Sequence, residues 1–181
     1  RVADLARNPK RHLILQELVH DLDVEHNRHC RSWQLVELAA GVKVTNPHRV
    51  HVLLGNHEIA ELCGLAVAKN GSDLNTRFAE GVRFAYGGRA QEVLEAYRQF
   101  WSTMPLAAST RFGVFISHST PNRTKMEPFS RAWFRKPASW RDLGRRSPAF
   151  SLVWGRDYRQ ETADEFAQRV ESEVLLVGHT P

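Results

Sequence analysis

His51-Val-Leu-Leu-Gly-Asn-His-Glu58 is the stretch that decides the fold of this chain. The apolar run from Val50 to Leu54 is typical of a buried parallel strand, and Gly55 permits a sharp turn directly after it. An amide, an imidazole and a carboxylate then follow in succession. Because open α/β sheets form their sites at the carboxyl ends of their strands, the pattern predicts an α/β fold with a functional site at this turn.

A strand followed by a helix cap would explain Asn56 as the N-cap and Glu58 in the first turn. It does not explain two further histidines that follow apolar runs in the same way. These are His118 in Phe112-Gly-Val-Phe-Ile-Ser-His-Ser-Thr-Pro121 and His179 in Val174-Leu-Leu-Val-Gly-His-Thr-Pro181. Neutral imidazole is a common ligand of Zn, Mn and Fe, and an amide oxygen suits the harder metals. Three strand ends that each carry a histidine therefore predict a metal site at the edge of a sheet.

Composition limits the class of protein. The 181 residues are enough for one domain with a substantial core, and no apolar stretch approaches the ~20 residues of a membrane span. Arg1 is not an initiator Met, so we expect a single domain, 1–181, that is incomplete at its N-terminus and at its C-terminus. Cys30 and Cys63 have no metal-binding or redox spacing and fit a reducing, cytoplasmic compartment. The net charge of +5 favours an acidic or phosphorylated partner.

Helical and strand patterns alternate along the chain. Residues 1–7 indicate the end of a helix, and residues 12–19 indicate a strand, followed by a polar loop at 21–28. Ser32 can cap a helix that runs to Ala40 and ends at Gly41. Further helices are predicted at 58–65, 73–81, 89–101 and 161–171, and further strands at 50–54, 104–106, 112–117 and 174–177.

The segment 122–146 is rich in basic and aromatic residues and predicts a cap-like insertion. Such a mixture can bind single-stranded nucleic acid, but no nucleic-acid motif accompanies it. The favoured interpretation is an excursion over the mouth of the site, with the aromatic side chains packed inward and the basic ones solvated, which would attract a phosphorylated substrate. The basic residues are Arg123, Lys125, Arg131, Arg135, Lys136, Arg141, Arg145 and Arg146, and the aromatic ones are Phe129, Trp133, Phe134 and Trp140.

Three motifs, in this order, resemble those of the calcineurin-like metallophosphoesterases, especially the branch of Ser/Thr phosphoprotein phosphatases and their bacterial relatives. They are Gly55-Asn-His-Glu58, the strand-end His118 and Gly178-His-Thr180. Leu152-Val-Trp-Gly-Arg-Asp157 resembles the segment before the last motif in bacterial members, in which an Arg reaches the phosphate. The resemblance covers nearly the whole chain.

The resemblance implies an α/β sandwich of two mixed β-sheets flanked by helices, with two divalent metal ions (Mn, Fe or Zn) at the strand ends. It implies that Asn56, His118 and His179 ligate the second metal. His57 would protonate the leaving oxygen or hold the scissile phosphate. Glu58 would orient its neighbours, and Arg156 would clamp phosphate oxygens.

Two departures from the family pattern bear on these roles. The first motif, a Gly-Asp-x-His turn, is absent, and a chain that begins inside the following helix would explain this. The second motif, Gly-Asp-x-x-Asp-Arg-Gly, corresponds to Gln16-Glu-Leu-Val-His-Asp21. Glu17 then replaces the bridging Asp, unless it is a surface residue at a strand end. His20 replaces the Asp that usually pairs with the catalytic His, and could ligate a metal or bind phosphate.

Other loop residues complete this picture. Asp21 or Asp23 could supply the missing carboxylate partner, whereas His26 and His29 are most simply solvated loop residues. With the first motif missing, we expect the chain to bind at most about one metal ion with useful affinity.

The leading hypothesis is a metal-dependent phosphoesterase that hydrolyses phosphate monoesters with a metal-bridged hydroxide. A phosphoprotein, a dinucleoside polyphosphate or a small phosphomonoester would fit as substrate. The first alternative is a degenerate member of the fold that binds a phosphorylated ligand or partner without turnover. The second, less favoured, is a nucleic-acid-binding protein that uses the basic aromatic segment.

Overall fold

Helices and short strands alternate along the chain, in a computed structural model that describes residues 3–21, 29–136, 139 and 142–179. The strands are β1 (Leu13–Gln16), β2 (Val50–Leu53), β3 (Ala68–Lys69), β4 (Ser72–Asp73), β5 (Ala107–Ser109), β6 (Val114–Ser117) and β7 (Val174–Val177). The helices are α1 (Trp33–Thr45), α2 (Asn56–Cys63), α3 (Leu74–Tyr86), α4 (Ala90–Ser102), α5 (Pro148–Trp154) and α6 (Gln160–Arg169). The protein is therefore a mixed α/β protein with several small sheets.

Two parallel strand pairs determine where the site lies. β1 pairs with β2, so that Gln16 lies opposite Leu53. β6 pairs with β7 in parallel, so that Ser117 lies opposite Val177, and β5 runs antiparallel on the other side of β6. Because parallel strands end at the same edge, the residues after β1 and β2 are neighbours, and so are those after β6 and β7. The antiparallel hairpin of β3 and β4 stands apart from both sheets.

Aromatic side chains form much of the core. Phe78 of α3 packs against Tyr97 and Trp101 of α4, with ring centroids 5.9–6.1 Å apart. Phe115 of β6 packs on Phe166 of α6 at 5.6 Å. Edge-to-face and tilted pairs of this kind stabilise a core beyond the area they bury, and they fix the helices against the strands that carry the site.

Local chemistry sets several helix boundaries. The Asp73 carboxylate accepts hydrogen bonds from the backbone N–H groups of Asn75 and Thr76, which begins α3. The Ser147 hydroxyl accepts from the Phe150 N–H and Pro148 occupies the first helical turn, which begins α5. These bonds satisfy N–H groups that the first turn of a helix leaves without partners.

Several boundary predictions were wrong. The strand predicted at 12–19 covers only Leu13–Gln16, and the helix predicted at 73–81 continues to Tyr86. Residues 3–10 form turns rather than the end of a helix. Helix α1 does not end at Gly41 but continues to Thr45, because the cost of one glycine, about 1 kcal/mol, is offset by the packing of Val42 against the core. The strand expected at 104–106 lies at Ala107–Ser109, since Pro105 has no N–H to donate to a ladder.

Two elements were not anticipated from the sequence. One is helix α5, and the other is the β3–β4 hairpin, which turns at Asn70 and Gly71 with φ of 50° and 74°. Asn-Gly is a strong signal for a two-residue hairpin turn because both positions need a positive φ. Within the parts of the chain that the structure describes, no helix is both long and apolar enough to cross a membrane.

Candidate functional site

The carboxyl ends of β1, β2, β6 and β7 meet at one place. Two contacts join the two sheets there: the Gln16 side-chain oxygen lies 3.2 Å from His118 Nδ1, and Asn56 Oδ1 lies 2.8 Å from His118 Nε2. This is the convergence that the strand-end pattern predicts. It brings residues more than 100 positions apart in the sequence into one cluster.

A tight turn at Gly55 makes this convergence possible. A Cβ at Gly55 would lie 2.7 Å from Glu58 Oε2 and 3.3 Å from both the Glu17 nitrogen and His118 Cε1. Contacts of this kind leave no room for a side chain. Gly55 therefore lets the turn after β2 approach the turn after β1.

The Glu58 carboxylate holds both turns together. It is fully buried; Oε1 accepts from the backbone N–H groups of Leu18 at 2.6 Å and Val19 at 3.2 Å, and Oε2 accepts from Gly55 at 3.0 Å. Burial raises the pKa of Glu58, whereas its backbone N–H donors lower it. The Glu58 side chain thus holds the turn after β1 against the turn after β2, in keeping with the orienting role that the resemblance implies. It does not face the cleft.

Four potential metal ligands lie together at the strand ends. Asn56 Oδ1 is 2.8 Å from His118 Nε2, and Glu17 Oε2 is 3.9 Å from the same nitrogen. Glu17, His118 and His179 each offer one ligand atom within 4.8 Å of the others. Ligands bound to one ion at about 2.0–2.2 Å lie about 3–3.5 Å apart, so small side-chain movements would let these four share a cation.

Two of these residues have unusual backbone conformations. Glu17 and His179 both have φ of 55°, in the left-handed region that residues with a Cβ seldom adopt. A conformation of this kind costs on the order of 1–3 kcal/mol and clusters at functional sites. The left-handed residue follows β1 directly at Glu17 and follows β7 after one residue at His179.

Burial is the main electrostatic influence on the titratable groups. It lowers the pKa of His118 to about 3 and that of His57 to about 4. Burial also lowers the pKa of His179, assisted by the charge of Arg156, and raises the pKa of Glu17. These imidazoles are therefore neutral near pH 7, which is the form that binds a metal.

His57 lies at the inner end of the cleft and is bonded to a second histidine. Its Nδ1 lies 3.0 Å from His20 Nδ1, and its Nε2 lies 3.8 Å from Glu17 Oε1. On the far side of His20, Nε2 lies 2.8 Å from Glu61 Oε1. The side chains of Glu61, His20 and His57 therefore form a continuous line of hydrogen bonds that leads from helix α2 to the cleft.

An open cleft of about 420 Å³ lies in front of these residues. Arg156 lines it and is exposed; its Nε donates to His179 Nε2 at 3.3 Å. Tyr158 donates to the His179 carbonyl at 3.0 Å and so fixes the same turn. Lys69 of the β3–β4 hairpin and the indole of Trp154 also line the cleft. Two cations and three of the four potential ligands thus surround a space that suits an anionic group.

The structure brings most of the sequence-predicted site residues together. The five that line the cleft are Glu17, Asn56, His57, Arg156 and His179; His118 lies behind Asn56, and Glu58 lies beneath the turns. His20 does not reach the cleft. Its side chain is fully buried and both ring nitrogens have partners, so the expectation that it binds phosphate or a metal does not fit its position.

The carboxylate partner expected for His57 also lies elsewhere. Asp21 was one candidate, but it is Glu61 that approaches the His20–His57 pair; Asp23, the other candidate, lies outside the described residues, as do His26 and Thr180. His29 stacks on Phe84, with ring centroids 4.6 Å apart. Sequence reasoning missed Glu61 and Lys69. Glu61 could have been found, because it lies four residues after His57 on the same helix face.

The basic aromatic segment does not cover the cleft with its aromatic part. Phe129 is buried against Phe166 at 6.0 Å, and Phe134 packs on Phe115 at 4.9 Å. The basic side chains Arg123, Lys125, Arg135, Lys136, Arg145 and Arg146 are exposed, whereas Trp140 and Arg141 fall outside the described residues. In the described part, the phenylalanines thus serve the core and are not available for stacking on bases.

Comparison of the sequence with protein-family models and with curated proteins gave no match. The functional interpretation therefore depends on the motifs and on the geometry of the strand ends.

Proposed function

We propose that the chain is a metal-dependent phosphoesterase of the calcineurin-like type, built as the sandwich of two mixed sheets that the motif resemblance implies. The observation that carries this proposal is the cluster of Glu17, Asn56, His118 and His179 at four strand ends, beside a cleft that Arg156 lines. A carboxylate, an amide oxygen and two neutral imidazoles form a donor set that suits Mn, Fe or Zn. The substrate is a phosphorylated protein or a small phosphoester.

The donor set fits one divalent ion well. Asn56 Oδ1 and His118 Nε2 lie 2.8 Å apart, slightly closer than two ligands of one ion would. A ring proton on His118 Nδ1, donated to Gln16 Oε1 at 3.2 Å, would leave the Nε2 lone pair for the ion. A second ion would need further ligands in addition to Glu17, which fits the expectation that the chain binds about one ion tightly. Bound ions would supply an activated water and positive charge against the phosphate.

The remaining polar side chains have distinct roles around the substrate. Arg156 is exposed at the cleft, and its guanidinium can donate two parallel hydrogen bonds to phosphate oxygens. Lys69, on the opposite hairpin, adds a second positive charge that attracts an anionic substrate. His57 presents Nε2 to the cleft, where it can exchange a proton with a reacting oxygen once a phosphate dianion favours its charged form.

Hydrolysis of p-nitrophenyl phosphate by chelator-treated protein, with and without added Mn²⁺, tests this proposal. We expect product only with the metal, and a loss of about a hundredfold or more in His57→Asn. The matched control is His48→Asn, because His48 is exposed and does not line the cleft; it should retain full activity. Release of product without metal, or unchanged activity in His57→Asn, would contradict the proposal.

The degenerate, binding-only alternative keeps one specific observation in its favour: the partner of His57 is a histidine rather than a carboxylate. It predicts that Mn²⁺ and inorganic phosphate bind, as calorimetry would detect, while no product forms under any metal condition. If neither Mn²⁺ nor phosphate binds, both interpretations of the site are wrong.

A further inference from the structure

Glu61 and His20 form a buried line of side chains behind His57 that the site described so far does not use. Glu61 lies one helical turn after His57 on α2, and its Oε1 is 2.8 Å from His20 Nε2. His20 Nδ1 is 3.0 Å from His57 Nδ1. The side chains of His20 and Glu61 are 0% and 7% exposed, so water does not replace any of these bonds.

For two rings that each carry one proton, the chemistry of the groups fixes where those protons lie. A carboxylate can only accept a hydrogen bond, so the proton of neutral His20 lies on Nε2. The Nδ1 of His20 is then a bare acceptor. A hydrogen bond between two ring nitrogens needs one proton, so Nδ1 of His57 must carry it. Neutral His57 is left with a bare Nε2, and this is the atom that faces Glu17 and the cleft.

We propose that Glu61 is a positioning residue which, through His20, holds the His57 ring in place and keeps its cleft-facing nitrogen free to accept a proton. Its effect on the reaction rests on the proposed function, but its effect on the ring does not. An isolated imidazole favours neither this orientation nor this placement of the proton. The bonded line supplies both, much as a buried carboxylate fixes the tautomer of a catalytic histidine.

This arrangement has a consequence for the order of proton transfers. Because Nε2 of His57 is bare, His57 must first receive a proton there before it can donate one to a leaving oxygen. The ring therefore enters as an acceptor, from the attacking water or from solvent, and donates afterwards.

The other carboxylate of α2 cannot take this role. Glu58 is fully occupied by three backbone N–H groups. Glu17 lies on the cleft side of His57 and contacts Nε2, not Nδ1. Glu61 is thus the carboxylate, among the described residues, whose bonds reach Nδ1 of His57.

The test is ¹⁵N NMR of the full chain with labelled histidines, metal-free and at neutral pH. The His57 signals are assigned by their loss in His57→Asn. In the wild type we expect a protonated, pyrrole-type Nδ1 and a bare, pyridine-type Nε2. Glu61→Gln keeps the shape of the side chain, but its amide can either accept from or donate to His20 Nε2. Both tautomers of His57 should then become populated, so the ¹⁵N chemical shifts of Nδ1 and Nε2 should approach each other.

Glu37→Gln is the matched control. Glu37 also accepts hydrogen bonds from side chains, the hydroxyls of the buried Tyr97 at 2.6 Å and of the half-buried Tyr86, but it does not line the cleft. This variant should leave the His57 signals unchanged. In the phosphatase assay, Glu61→Gln should lower kcat by roughly ten- to a hundredfold with KM unchanged, because substrate binding does not involve Glu61.

Two results would overturn the inference. One is a wild-type spectrum in which the proton lies on Nε2 of His57, and this measurement does not depend on the folding of any variant. The other is an unchanged His57 spectrum in Glu61→Gln. If the wild type shows the expected signature and Glu61→Gln disturbs it, but no phosphate ester is hydrolysed, the positioning role stands and the proposed function fails.

Discussion

Replacement of Glu58 by Gln tests how strongly the frame of the site depends on one buried carboxylate. The substitution keeps the shape of the side chain and removes its charge. Two oxygens now accept three backbone N–H groups, whereas a glutamine offers one oxygen and one NH₂ group. If the oxygen faces Leu18 and Val19, the NH₂ group opposes the Gly55 N–H, which is buried and loses its acceptor.

The size of the effect follows from these bonds. A buried donor without an acceptor costs about 1–3 kcal/mol, and each of the two remaining bonds loses about 1 kcal/mol when its acceptor is neutral. Relief from burying a charge, the same effect that raises the pKa of Glu58, offsets part of this loss. We expect the free energy of unfolding to fall by about 2–4 kcal/mol, a large share of the 5–15 kcal/mol typical of a domain.

Urea titration followed by tryptophan fluorescence measures this change. The midpoint should fall while the m-value stays constant, since the same surface is exposed on unfolding. Glu80→Gln is the matched control, because Glu80 is exposed on α3 and surface changes of this kind stay within about 0.5 kcal/mol. A Glu58→Gln variant as stable as that control would refute the argument that this carboxylate holds the two turns together.

Three further predictions concern the frame and the site. Gly41→Ala should raise the free energy of unfolding by about 0.5–1 kcal/mol, since nothing lies within 4 Å of the added Cβ. Gly55→Ala should instead lower the free energy of unfolding by about 1–3 kcal/mol. Equal effects of the two substitutions in urea titration would contradict this. Burial lowers the pKa of His118 to about 3, so between that pH and its ordinary value of about 6.5 the unfolded chain binds more protons. The metal-free wild type should therefore lose about 2 kcal/mol more stability than His118→Asn as the pH falls from about 6.5 to about 4.5, and parallel pH profiles would disprove it. Arg156→Gln should weaken inhibition by inorganic phosphate about tenfold and leave Mn²⁺ binding by calorimetry unchanged; a loss of metal affinity would show that Arg156 acts on His179 instead.

The strand ends could be predicted from sequence because two independent rules agree there. An apolar run marks a buried strand, and parallel strands place their carboxyl ends together. His118 and His179 each follow such a run, so their proximity did not depend on knowing the rest of the fold. The strand Val174–Val177 has the predicted bounds, and β2 ends one residue earlier than predicted.

Interactions between distant residues could not be predicted in the same way. His20 and Glu61 are separated by 41 positions, and no local pattern links a residue after β1 to the middle of α2. Lys69 is different, because the Asn-Gly turn that carries it has a recognisable signal that was overlooked. The end of α1 was misjudged because glycine propensity was given more weight than the packing of the helix on β2 and α3.

The histidine at position 20 is best understood together with the carboxylate at position 61. A carboxylate at position 20 would contact His57 directly, and a second carboxylate at 61 would then lie unpaired and buried at a high cost. With a histidine at 20, both of its ring nitrogens have hydrogen-bond partners. The negative charge of Glu61 then lies one ring further from the candidate ligands Glu17 and Asn56. The departure from the family pattern at position 20 therefore does not by itself argue against catalysis; it moves the question to whether Glu61 controls His57.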